Sequence, residues 1–313
     1  MVETYLSLSG ESPGAPVLQS FDGVGLVRAE YIMRAAEEYI VLPSAQERLA
    51  SYVAQVAEAF APRPVWVRQA DLTTLEVNTL RGADDILLEK TPLLGLRGIR
   101  RGLQYPDAMR AEAGCLVDVA RRYPNVHYMF SYLGDAEEFA AGRAVLREVG
   151  WPNRVGTMVE IPSAVCDVGQ MIAAGASNFL LGTNDMSSLL AGQQRKSDRG
   201  LSVLPALACV IRRLRQNVPA EIDLGIAGYL TAEALQDVAN EGYTYCSVHY
   251  ADVPAALGLD PALFPDRDHM QRVKTLTKTR VAEWQQRYYR SAPANPVAQD
   301  ARISLRQSSD VTP

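Results

Sequence analysis

The feature that most narrows the fold is an alternation along the whole chain. Eight short β-rich runs are separated by longer stretches whose apolar residues recur at helical intervals. The runs cover residues 4–9, 23–28, 64–70, 126–132, 154–162, 178–185, 223–228 and 243–250. Helical spacing marks residues 44–60, 106–122, 135–149, 163–174, 204–216 and 231–241 between them. Several of these stretches open on Pro or on a capping residue, as at Pro43-Ser44, Pro106-Asp107 and Thr231. A helix between two strands returns the chain to the end where it started, so the strands are expected to run parallel with right-handed crossovers. A count of eight predicts an α/β protein of the (β/α)8 barrel type rather than an open sheet.

At 313 residues the chain is long enough for one such barrel with additions. The barrel is expected over residues 1–260, followed by a C-terminal helical extension over 261–290. Residues 266–290 form its charged helix, and the polar, Pro-containing tail 291–313 is expected to be flexible. Residues 72–101 break the repeat after the third strand. On a barrel, an excursion of that length is expected to cover the site.

Composition removes several function classes. A formal net charge of −5 offers no basic footprint for nucleic acid. No stretch approaches the roughly 20 apolar residues that a spanning helix needs, so no membrane role is expected. The N-terminus lacks the basic and apolar regions of a secretory signal. Cys115, Cys166, Cys209 and Cys246 have no metal-ligand spacing and read as reduced thiols of a cytoplasmic protein. With three histidines, a His-rich metal centre is not expected.

In a barrel, function gathers where the strands end. Arg28 ends the second run and Arg68 lies in the third. Arg97 and Arg100 sit in the excursion, in LLGLRGIRR. Glu160 closes the fifth run in GTMVEIPSA, and Asn184 and Asp185 close the sixth in LLGTNDMSS, with Arg195 further on. Alone, each arginine reads as a surface ion pair and the glutamate as a solvated strand terminus. Together they bring several arginines and two carboxylates to one end of one barrel. Guanidinium forks match phosphate and carboxylate geometry, and paired carboxylates suit Mg²⁺. The set predicts a small phosphorylated carboxylic acid as ligand.

The same residues carry a family resemblance. GVGLVRAEYIM, VWVRQADLTTLEVNTLRG, TPLLGLRGIRRGL, VGTMVEIPSA and FLLGTNDMSSLLAGQQR resemble, in order, the phosphoenolpyruvate/pyruvate-binding barrel of the phosphoenolpyruvate-utilising enzymes. That family includes pyruvate phosphate dikinase and enzyme I of the sugar phosphotransferase system. The form VRQADLTTLEVNTL is most similar to the phosphoenolpyruvate synthase (pyruvate, water dikinase) branch. The motifs span residues 21–195, and weaker similarity continues to about residue 257.

The resemblance implies Mg²⁺ (or Mn²⁺) on Glu160 and Asp185. It implies that Arg28 and Arg68 hold phosphoryl and carboxylate groups, with Asn184 and Arg195 as further substrate contacts. Arg97 matches a catalytic loop arginine that helps to receive the phosphoryl group. The implied activity is a kinase-type transferase reaction between phosphoenolpyruvate and a histidine on a mobile domain. No stretch resembles a nucleotide-grasp or phosphohistidine domain, so separate proteins are expected to supply them. The resemblance also implies a homodimer.

One position departs from the pattern. Where the family has a proton-donating cysteine in Gly-x-Cys-Gly, this chain reads Gly225-Ile226-Ala227-Gly228. Alanine cannot shuttle a proton. Cys246 and His249, on the adjacent eighth run, are candidates to replace the thiol, and Tyr229 lies two residues beyond Ala227. Period-two alternation sets Cys246 and His249 on opposite faces, so at most one points inward. The remaining alternatives are a Mg²⁺-dependent lyase or aldolase acting through an enolate, as in citrate-lyase-type barrels, and a non-catalytic binding relative.

Overall fold

Parallel strands covered on both faces should be buried along nearly their whole length and mostly apolar, and the strands of this chain are. The computed structural model describes residues 2–12, 20–83, 89, 91–193, 205–228 and 240–291. Its strands are β1 (Glu3–Leu8), β2 (Gly23–Arg28), β3 (Val65–Arg68), β4 (Val126–Phe130), β5 (Val155–Val159), β6 (Asn178–Gly182), β7 (Asp223–Ala227) and β8 (Tyr245–His249). All pairs are parallel, each strand bonds to the next, and β1 pairs with β8. The sheet is therefore a closed eight-stranded barrel with helices in its crossovers, as the alternation predicts.

Alternation along each strand sorts side chains into two cores. Tyr5, Leu26, Trp66, Met129, Met158, Leu180, Ala227 and Tyr245 plug the barrel interior. A larger outer core, including Val24, Val65, Tyr128, Leu181 and Cys246, lies between the sheet and its helices. Tyr245 crosses the interior so closely that a Cβ on Gly225 would stand 2.2 Å from its ring. That close approach fixes glycine at the neighbouring position of β7.

Several boundaries differ from expectation, each for a local reason. The sixth run ends at Gly182, because Thr183–Ala191 is a helix whose first turn holds Asp185. A carboxylate there meets the positive end of the helix dipole. Residues 106–122 form two helices, Pro106–Gly114 and Val117–Arg122. Residues 163–174 divide into a 3-10 turn at Pro162–Val165 and a helix at Val168–Ala173. The C-terminal helix runs over His269–Ser291 rather than from 266, because Asp266 adopts φ 59°, which a helix interior cannot hold. The excursion contains a capped turn at Thr74–Val77 and a helix at Gly98–Gln104. The expected helix 231–241, except for its last two residues, and residues 292–313 of the tail lie outside the described residues. Among those described, no helix is long and apolar enough to cross a membrane.

Candidate active site

β2 and β3 place Arg28 and Arg68 side by side, paired in register at their last residues. Glu30, on the helix that follows β2, lies between them. Its Oε1 is 3.3 Å from Arg28 Nε and also accepts from Arg68 Nη2. Arg68 is 5% exposed and Glu30 1%, so the bridge is removed from water. Burial opposes the Arg68 charge, but Glu30, Asp71 and Glu160 outweigh it and raise its pKa.

Three residues beyond Arg68, Asp71 turns into the same space. Arg97, at the start of the helix Gly98–Gln104, grips it with Nε and Nη2 at 2.7 and 2.6 Å. Burial alone would raise the Asp71 carboxyl. The Arg97 pair, with Arg68 and Arg34, overcomes that and holds it below the usual carboxylate range. Arg97 Nη2 also reaches Asp185 Oδ2 at 3.2 Å, and its guanidinium lies over the Tyr132 ring at 4.2 Å.

Glu160 immediately follows β5, and its Oε2 accepts the Tyr132 N–H at 3.0 Å. Tyr132 takes φ 51°, a left-handed conformation that costs a non-glycine residue and is frequent at functional positions. Burial, then Asp185 and Asp71, raise the Glu160 carboxyl to about 7. One oxygen each from Asp71, Glu160 and Asp185 lies within 4.8 Å of the others. Hard oxygen donors at that spacing fit Mg²⁺ or Mn²⁺. A cation there would offset both the burial of the Glu160 carboxyl and its repulsion by Asp185 and Asp71.

The expected residues thus fall into three groups. Arg28, Arg68, Arg97, Glu160 and Asp185 converge at the C-terminal mouth, although Asp185 stands on a helix and not at a strand end. Asn184 is beside it; its Oδ1 is 3.6 Å from where a Cβ on Gly228 would sit. Arg100 turns away to Glu138 at 2.9 Å. Arg195 and Tyr229 lie outside the described residues.

Ala227 ends β7 on the inner face and is 5% exposed; its carbonyl accepts from Thr183 Oγ1 at 3.1 Å. Cys246 faces the outer core, with Sγ 3.5 Å from the Glu3 carbonyl, and burial raises its thiol. It cannot serve the mouth from there. His249 ends β8 and contacts Ser9. Asp71, Glu30 and Tyr132 are the residues that sequence reasoning did not single out. The first two had a signal, an acid two or three residues after a strand-end arginine. The position of Tyr132 depends on backbone conformation and has none.

A parallel eight-stranded barrel with acids and arginines gathered where its strands end is a member of the α/β barrels that carry a charged site at the C-terminal mouth. Within that class the chain belongs to the family described as PEP-utilising enzyme, PEP-binding domain, whose sequence profile matches residues 14–256. It is 35% identical over 190 residues to a probable phosphoenolpyruvate synthase of Pyrococcus horikoshii, covering 57% of this chain and 23% of that protein. To the phosphoenolpyruvate synthase of Pyrococcus furiosus it is 35% identical over 195 residues, covering 57% of this chain and 23% of that protein. The match therefore spans about a quarter of the length of these relatives. Among solved structures, an aldolase/citrate lyase family protein from Burkholderia cenocepacia aligns with a TM-score of 0.49 and 17% identity, over 87% of this chain and 95% of that one.

Proposed function

We propose that the chain binds phosphoenolpyruvate, pyruvate or a closely related small acid together with Mg²⁺ or Mn²⁺ at the barrel mouth. In this reading it serves phosphoryl transfer with phosphohistidine and nucleotide domains supplied by other proteins. The observation that carries the reading is the meeting of Asp71, Glu160 and Asp185 within 4.8 Å beside Arg68 and Arg97. The carboxylates would hold the cation, which when bound supplies positive charge at a phosphoryl or enolate oxygen. Arg28 and Arg68 orient the anionic groups of the ligand, and Glu30 fixes the spacing between them. Arg97 comes from a separate loop and places a third guanidinium at the reacting end. Asn184 and Arg195 complete the substrate contacts. Barrel 1–260, helical extension 261–290 and tail 291–313 are the proposed divisions, and a cytoplasmic homodimer is the proposed working form.

Ala227 favours a second reading. The inner face at the end of β7 carries a methyl group, so no thiol stands at that position to protonate an enolate. A lyase or aldolase acting through an enolate fits such a site, as does a binding relative without chemistry. Calorimetry of the chain with phosphoenolpyruvate, pyruvate and oxalate, each with and without Mg²⁺, tests the first reading. Metal-dependent binding of phosphoenolpyruvate and oxalate is expected. Turnover of a β-keto or β-hydroxy acid would move the assignment to the second.

A further inference from the structure

The inner face of β8 ends in an imidazole whose two nitrogens are both engaged. Tyr245 belongs to the inner core, and Ser247 Oγ points inward, 2.6 Å from where a Cβ on Gly25 would stand. Alternation puts His249 on that same face at the last position of the strand. It pairs in register with Ser7 of β1, and Ser9, two residues further, meets the ring. The Ala251 N–H donates to Nδ1 at 3.1 Å, so the neutral ring carries its hydrogen on Nε2. Nε2 is 3.2 Å from Ser9 Oγ and donates to it. The same oxygen accepts from Arg28 Nη1 at 3.5 Å. Glu30 at 3.3 Å, the Tyr31 ring at 4.3 Å and Met270 Sδ at 3.5 Å hold the rest of that guanidinium.

We infer that His249 is a positioning residue. As a neutral Nε2–H imidazole it fixes Ser9 Oγ as an acceptor for Arg28, and so sets how Arg28 meets the anionic ligand, instead of donating the proton that a thiol at position 227 would supply. The inference rests on the proposed role of Arg28 in binding. Protonation would turn Nδ1–H against the Ala251 N–H, two donors facing each other. Arg28 on β2 and Lys274 on the helix His269–Ser291 are the cations acting on the ring. Among the described residues, the acids of the neighbouring segments include Glu11, which takes the Ser9 N–H, Asp252, just beyond β8, and Glu30, which pairs with Arg28. Burial, then Arg28 and Lys274, lower the His249 pKa to about 3.

Two measurements on the full chain test the inference. Nitrogen NMR of ¹⁵N-histidine-labelled protein, with His249 assigned by difference from His249→Gln, should show one Nε2–H tautomer from about pH 5 to 8. Titration within that range overturns it. By calorimetry with Mg²⁺, His249→Ala and Ser9→Ala should each bind phosphoenolpyruvate about tenfold more weakly, the scale of one hydrogen bond to a charged group. His249→Gln should recover most of the loss, because its amide can accept from Ala251 and donate to Ser9. Melting temperatures verify folding, and Ser9→Ala carries the test if His249→Ala does not fold. Variants that match a binding-competent parent overturn the positioning role alone. A parent that binds neither phosphoenolpyruvate nor oxalate overturns the functional reading, and the positioning role with it.

Discussion

Arg97 closes on Asp71 with two parallel N–H···O bonds, of 2.7 and 2.6 Å, and the same Nη2 reaches Asp185 at 3.2 Å. One guanidinium from the excursion thus ties together two of the three carboxylates at the mouth. The start of the helix Gly98–Gln104, the turn after β3 and the helix after β6 are joined by a single side chain.

Arg97→Ala should therefore be costly. Removing one partner of a buried pair costs about 3–5 kcal/mol, because the remaining charge is left without compensation. Urea unfolding measures the loss. Added Mg²⁺ should restore more stability to the variant than to the parent, since a cation can take over part of the neutralisation. A loss below about 1 kcal/mol, the range of an exposed pair, would contradict the arrangement.

The carboxylates make a separate prediction. Mg²⁺ or Mn²⁺ should strengthen oxalate binding to the parent, and Asp185→Ala should abolish the enhancement. Asp71→Asn should weaken it as well, because Asp71 supplies the third oxygen of the group. Oxalate affinity independent of metal would remove the proposed cation from the site.

For the arginines, loss of one member of a desolvated charged pair costs about 2–5 kcal/mol. Arg68→Ala should weaken phosphoenolpyruvate binding by roughly 30-fold or more on that scale. Arg195→Ala is expected to act similarly. Parent-like affinity in both variants, each shown to be folded by a cooperative melting transition, would place the ligand elsewhere.

Ala227 gives a test of chemistry. The chain should fail to exchange the methyl protons of pyruvate with deuterated solvent in the presence of Mg²⁺, and Ala227→Cys should raise the rate by restoring an ionisable group. Fast exchange in the parent would show that another residue moves the proton. Absence of exchange in both forms would favour a pocket rebuilt for a different ligand.

Glu112, on the helix Pro106–Gly114, makes stability depend on pH. Its carboxyl accepts the Ala70 N–H at 2.9 Å and the Tyr128 hydroxyl at 3.2 Å, and burial raises it from 4.5 to about 7. Between those values the folded chain keeps a proton that the unfolded chain releases, so stability falls as pH rises. The full effect is about 3 kcal/mol. Glu112→Gln should flatten the fall between about pH 4.5 and 7 in urea titrations. An unchanged slope would mean that other groups set it.

The barrel was legible because burial on both faces favours β-branched and other apolar residues in a parallel strand, and eight such short runs stand out against helical spacing. Arg28, Arg68 and Glu160 were legible for a related reason: a charged residue closing an apolar strand is conspicuous. Asp185 was found by its motif but misplaced by its structure. Nothing in LLGTNDMSS reveals that the strand stops at Gly182 and a helix turn begins.

By itself, then, the sequence determined the succession of eight strands, the closed parallel sheet and the family, since all three depend on local pattern and short motifs. Tertiary structure decided which groups share a charge. It brought Asp71 to Glu160 and Asp185, placed Glu30 between two arginines, and turned Cys246 outward while His249 reached Ser9. These relations join residues far apart in the chain. Strand parity sets the facing of Cys246 and His249, which a one-residue shift in register would reverse. The turns and helix starts beyond the strand ends set the others.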